Sequence, residues 1–244
     1  MNEQNDKLEA EKIVVESKLL KWLDNFWYHH KWHTIFAAFF VIVFGICLVQ
    51  CATVERSEVM ITYAGNYTLS VSESEEIGNL FTSLLPTDKN NVHSTTAGIN
   101  RFSIYNEEEL KLRNTDPETG EYTNTGYWAS KATNDDNMSG FSSYVMTGES
   151  CIWLVSPYVY EELVQMDRLV TLESLGVAAE YGADACAVRL ADTAFYQYYE
   201  LLQKLPEDTL LVLAKKTVVG STSKEDAYNL NKQLFLDILN FEPS

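Results

Sequence analysis

Beyond residue 54 the sequence holds a single histidine, His93. A nucleophilic triad needs a base to take the nucleophile's proton, and one histidine in a polar stretch is a poor foundation for one. Gly148-Glu149-Ser150-Cys151-Ile152 has a glycine two before Ser150 but none two after, so the strained nucleophile elbow is missing as well. No phosphate-cradling glycine loop and no dinucleotide fingerprint occurs, since Gly182-Ala183-Asp184 is too little for either. Cysteine is scarce: four residues, with no CxxC pair and no zinc spacing, which argues against a disulfide scaffold and a structural zinc site. Positive charge is scarce too. Eighteen Lys and Arg stand against 35 Asp and Glu, a net charge of −17, and the first 52 residues account for only five Lys and six acids. The acidity therefore belongs to the remainder, which argues against nucleic-acid binding and against a domain hugging an anionic lipid surface. Acid runs such as Glu107-Glu108-Glu109 read as a solvated face rather than as the carboxylate pair of a glycosidase. The expectation is no enzyme, no cofactor and no metal centre.

What the chain does have is an uncharged apolar run, Thr34–Val54, TIFAAFFVIVFGICLVQCATV. A helix of that length spans roughly 31 Å, close to the hydrocarbon thickness of a bilayer. The preceding 33 residues and the length of the run do not fit a cleaved signal. Gln50, just before Cys51, is neither small nor apolar, which disfavours a lipoprotein site. Lys18, Lys21 and Lys31 lie on the N-terminal side, whereas Arg56 is the only basic residue soon after the run and Lys89 is the next. The positive-inside bias then puts the N-terminus in the cytoplasm and the residues after the span outside. Trp22, Trp27, Tyr28 and Trp32 crowd the cytoplasmic boundary, where amphipathic rings settle.

Three regions are expected: 1–33 as a cytoplasmic juxtamembrane amphipathic helix, 34–54 as the transmembrane helix, and 55–244 as an extracellular α/β domain. In the first, Leu8, Val15, Leu19, Trp22, Leu23 and Phe26 recur at helical steps, which suits either an interfacial helix or a docking helix for a cytoplasmic partner. His29 and His33 are four apart, as zinc ligands can be, but no carboxylate or cysteine completes a set nearby. About 190 residues follow the span, enough for one core and few for two.

In the outer domain, Glu58–Ala64 reads as a first strand and Ser72-Glu73-Ser74-Glu75 as the start of a helix that Pro86 ends. Asn100–Tyr105 reads as a second strand, and the polar, turn-rich stretch at about 106–134 as a loop insertion in which Asn106–Leu112 can add a turn of helix. Asp135 starts a helix that runs to Gly148. Cys151–Val155, CIWLV, reads as a buried parallel strand. Ser156-Pro157 opens the next helix, with Pro at its first position. Ala185–Leu190 and Thr209–Ala214 read as the last two strands. Asp192 or Thr193 caps a helix through Leu202, and Lys224-Glu225 begins a final amphipathic helix. This alternation predicts an α/β fold, a mostly parallel sheet with helices on both faces. Cys151 and Cys186 each sit in an apolar run, and sequence leaves open whether they are bridged.

From Met146 to Ser156, a helix ending Met146-Thr147-Gly148-Glu149-Ser150 leads into the strand Cys151-Ile152-Trp153-Leu154-Val155-Ser156. This resembles the start of the second lobe of type II periplasmic, or extracellular, solute-binding proteins. Tyr63-Ala64-Gly65, Leu169–Leu175 and Arg189-Leu190-Ala191-Asp192-Thr193 are similar to that family in arrangement. The Phe26–His33 segment, FWYHHKWH, also resembles the start of single-pass membrane proteins of anaerobic Gram-positive bacteria. The domain is shorter than typical family members, and one lobe or two stays open. The resemblance implies ligand contacts at the carboxyl ends of the strands: Gly65, Asn66 and Tyr67, then Ser156 and Tyr158, then Asp192 and Thr193. Each has a plainer reading: Ser156 and Asp192 as helix caps, Tyr158 as a packing or surface aromatic. The functional expectation is a membrane-anchored, non-catalytic domain that binds a small molecule or a membrane protein partner. The alternative is a structural or assembly subunit of a membrane complex.

Overall fold

The computed structural model describes residues 18–53, 58–86, 95–116, 118–122, 130–177 and 185–243, with side chains in the first helix at Trp22 and from Asn25 to Val49. Residues 1–17, Arg56, His93, Gly182–Asp184 and the aromatic pair Tyr127-Trp128 lie outside that range. The chain forms two units, Met1–Glu55 and Arg56–Ser244.

The first unit contains one unbroken helix, α1, Lys18–Thr53. The expected boundary between a cytoplasmic helix and a membrane span is not a break in structure. No proline and only Gly45 interrupt the sequence here, so nothing stops the i to i−4 ladder. Within it, Asn25–Val49 is long and apolar enough to cross a membrane, and none of its apolar window is buried.

The second unit is built on one five-stranded sheet in the order β2-β1-β3-β5-β4. The strands are β1 Val59–Gly65, β2 Ala97–Ser103, β3 Ile152–Val155, β4 Ala187–Arg189 and β5 Leu210–Leu213. β1 pairs in parallel with β2, Tyr63 opposite Arg101, and with β3, Tyr63 opposite Leu154. β5 runs antiparallel to both β3 and β4. The sheet is therefore mixed, correcting the mostly parallel expectation. The cause lies in the connection before β5. The expected helix through Leu202 is only α6, Ala194–Tyr198, followed by a 3-10 turn at Leu202–Lys204. Five residues rise about 7.5 Å, too little to carry the chain back across the sheet. Instead the Leu190 amide donates to the Thr209 carbonyl at 2.8 Å: β4 leaves and β5 begins at the same edge.

β1, β3 and β5 are buried along nearly their whole length, as strands covered on both faces are. The helices that cover them are α2 Val71–Thr82, α4 Lys131–Thr147, α5 Pro157–Gln165 and α7 Glu225–Leu239. Phe102 on β2 and Trp153 on β3 meet Phe141 of α4 at 5.8 and 6.1 Å between ring centres. Phe81 of α2 meets Phe195 of α6 at 5.3 Å. Trp153 donates its indole N–H to Ser150 Oγ at 3.0 Å, and that oxygen lies 2.6 Å from Thr62 Oγ1. A buried polar triangle is thereby satisfied inside an otherwise apolar layer. Cys151 and Cys186 are not bonded to each other.

The expected loop at about 106–134 is partly helical. α3, Glu107–Arg113, starts at the cap Asn106, and α4 begins at Lys131 rather than Asp135. Between them Thr115 bridges Tyr122. α4 ends at Gly148, φ 67°, and its carbonyl accepts from both the amide and the hydroxyl of Thr222 at 3.1 and 2.7 Å. A Cβ at Gly148 would lie 2.0 Å from Thr217 Oγ1, and one at Gly220 would lie 1.8 Å from the Thr147 carbonyl. The end of α4 and the approach to α7 thus pack backbone against backbone. One sheet and one core serve the whole unit among the described residues.

Candidate functional site

In the strand order β2-β1-β3 the chain goes from β1 to one neighbour and returns to the other. The loops after β1 and β3 therefore part at the point where an open α/β sheet forms a crevice. The Ser156 amide donates to the Ala64 carbonyl at 3.0 Å, and a Cβ on Gly65 would stand 3.4 Å from that of Ser156 and 2.8 Å from the Tyr63 hydroxyl. A side chain at 65 would have to displace the Tyr63 hydroxyl, while its contact with Ser156 would be an ordinary one. Five of the seven residues singled out in the sequence, Gly65, Asn66, Tyr67, Ser156 and Tyr158, follow these two strands. Asp192 and Thr193 do not join them. They follow β4, with β5 between, so about 10 Å of sheet separates their strand from β3. Thr193 is fully buried, accepts from the Tyr196 amide at 3.2 Å and donates to the Leu190 carbonyl at 2.7 Å. Asp192 is exposed in a 3-10 turn and does not cap α6.

The loop after β1 is pinned by two helix starts. α2 begins one cap earlier than expected, at Ser70. Ser70 Oγ accepts from the Glu73 amide at 3.2 Å, and the Glu73 carboxylate accepts from the Ser70 amide at 2.9 Å and its hydroxyl at 2.7 Å. Asn106 and Glu109 repeat this reciprocal cap at the start of α3, at 2.9 and 2.8 Å. Both glutamates then reach the β1 loop: Tyr67 donates its hydroxyl to Glu73 at 3.1 Å, and Asn66 donates its side-chain amide to Glu109 at 2.5 Å.

Around them stand groups that sequence alone did not assign to the site. Lys204 pairs with Glu73 at 3.2 Å. Arg113 donates to the Asn66 carbonyl at 3.1 Å and lies 4.5 Å over the Tyr105 ring. The Tyr105 hydroxyl is 2.9 Å from Thr68 Oγ1, and Asn134 holds the Tyr105 backbone from both sides, at 2.8 and 3.0 Å. The Ser70 amide and hydroxyl, then Lys204 and Tyr67, hold the Glu73 carboxyl at about 2, well below the usual carboxylate range. Burial drives the Tyr63 phenol strongly upward, with Tyr105, Asp208 and Glu109 adding to the rise. It stays neutral and accepts from the Tyr67 amide at 3.0 Å.

Ser156 caps α5, accepting from the Val159 amide at 3.4 Å, while Tyr158 is 36% exposed on its first turn. One residue past Ser156 a groove opens. Its volume is about 640 Å³, and Pro157, Tyr160, Glu161, Val164, Cys186 and Leu210 are among its walls. That size suits a small ligand. Its walls are mainly apolar, with Glu161 and Gln165 as the polar side chains. Among the described residues no three His, Cys, Asp or Glu side chains are gathered as a metal site would need. Comparison with family models, with curated proteins and with solved structures found no match.

Proposed function

We propose that the chain is a membrane-anchored, extracytoplasmic, non-catalytic domain that binds a small solute at the β1/β3 crevice. The observation that carries this reading is the meeting of the β1 and β3 loops where the strand order reverses, with the α5 groove opening one residue past Ser156. The charge of the site narrows the solute. Glu73 and Glu109 each take the amide of their own cap residue, Ser70 and Asn106, so an anion approaching the starts of α2 and α3 finds those two donors taken and carboxylates beside them. A neutral or cationic solute fits this rim, and the apolar walls of the α5 groove suit an apolar one. The apolar window of α1 supports the anchor, and the distribution of Lys18, Lys21 and Lys31 supports a cytoplasmic N-terminus.

Thermal unfolding of the full chain in detergent, with a panel of amines, amino acids, sugars and anions, tests the reading. A cognate solute at a hundred times its Kd stabilises the folded state by about 2.7 kcal/mol. Asn66→Ala or Val164→Arg should abolish that gain. If no solute raises the transition, or only anions do, the crevice is not a receptor site for this class. A membrane partner retained after deletion of residues 56–244 would favour the assembly-subunit reading instead.

A further inference from the structure

The segment before the apolar run carries chemistry that solute binding does not use. His29, His30, Lys31 and His33 fall within little more than one turn of α1, about 6 Å of axial rise, and all four are exposed. At 100° per residue the three imidazoles lie on one arc of the helix about 100° wide, and Lys31 stands on nearly the opposite side, so that the four ring the helix. On the imidazole arc the rings form a ladder: Trp22 stacks on Phe26 at 5.5 Å, Phe26 meets His30 at 5.1 Å, and His30 meets His33 at 6.0 Å. From residue 32 to residue 55 there is no Lys or Arg, and Asp24 is the only acid in α1. A turn rich in basic and ionisable side chains thus sits against a wholly apolar stretch in a chain that is otherwise strongly acidic.

We infer that this turn is a pH-responsive docking collar for anionic lipid headgroups, which binds their phosphates more tightly as the pH falls. The inference rests on α1 being a membrane span. Imidazoles change charge between about pH 5 and 8. Lys31 gives the collar one fixed positive charge, and His29, His30 and His33 bring three imidazoles to it. The aromatic ladder holds His30 and His33, and Tyr28 beside His29 at 5.2 Å holds the third imidazole, at headgroup depth, since such rings settle at the interface. The other charged residues of α1 are Lys18, Lys21 and Asp24. Of these only Asp24, more than one turn earlier, opposes the gain.

The test places the full chain in phosphatidylcholine vesicles containing phosphatidylglycerol, with one lipid or the other brominated and EDTA throughout. Quenching of tryptophan fluorescence is read from Trp22, Trp27 and Trp32, three of the five tryptophans. The preference for phosphatidylglycerol over phosphatidylcholine should rise about threefold or more between about pH 7.5 and about pH 5.5. H29Q/H30Q/H33Q should remove the rise, and K31Q should lower the preference at both pH values. A preference that is constant with pH, or a rise that survives the triple variant, overturns the proposal. If neither brominated lipid quenches, the helix is not in the bilayer, and the anchor reading falls together with this one.

Discussion

At the scale of single residues, Glu73 is where charge, capping and loop position meet. Its carboxyl is held at about 2 by the Ser70 amide and hydroxyl, and then by Lys204 and Tyr67. A carboxyl whose folded pKa lies below its unfolded value of about 4.3 adds stability above that value. The gain is lost as the pH falls toward the folded pKa. Glu73→Gln should therefore lower Tm at pH 7, and the gap to the parent should shrink by about pH 3. A gap of equal size at both pH values would mean the ionised carboxylate contributes nothing. Ser150 is the second such residue. Ser150→Ala leaves the buried Trp153 indole N–H without its acceptor, and denaturant melts should show a loss of about 1–3 kcal/mol. The Cys151 thiol is pushed up to about 12 by burial and should resist iodoacetamide at pH 8 until the domain unfolds. The position of Asn66 and Tyr67 just after an apolar strand was legible in the sequence. Their partners Glu73 and Glu109 were not. The cap spacing is written in the chain, but the loop each glutamate reaches is decided by folding.

At the scale of elements, the most demanding junction is the one between the end of α4 and the start of α7. Gly148 has a left-handed backbone, and a Cβ there would also meet the Val219 carbonyl at 2.7 Å. Gly148→Ala should destabilise by about 2–4 kcal/mol in urea unfolding. A loss below about 1 kcal/mol would show that the junction yields easily. Gly148 as the end of a helix and Ser156-Pro157 as the start of another were readable from local rules, since capping and proline geometry act within one turn. The cap of α2 was placed two residues late, at Ser72 instead of Ser70, because several serines compete for the role. α3 was legible only as a turn of helix at Asn106–Leu112 inside the expected insertion, because seven residues with no buried side chain leave no apolar stripe to detect.

At the scale of the whole molecule, the chain divides into an apolar helix and a sheet-centred unit. Full-length protein should stay with membranes through alkaline carbonate extraction, and deletion of residues 25–49 should release it into the soluble fraction. Soluble full-length protein would end the anchor reading. The apolar length of α1, the acidity of the second unit and the existence of five strands follow from the sequence by itself, because hydropathy and capping are properties of neighbouring residues. Only the tertiary structure decided that β5 slots between β3 and β4 in the opposite direction. It also decided that Asp192 and Thr193 stand apart from Asn66 and that two capping glutamates close on one loop. Those outcomes depend on which distant segments bury each other, and that choice is made by the packed core.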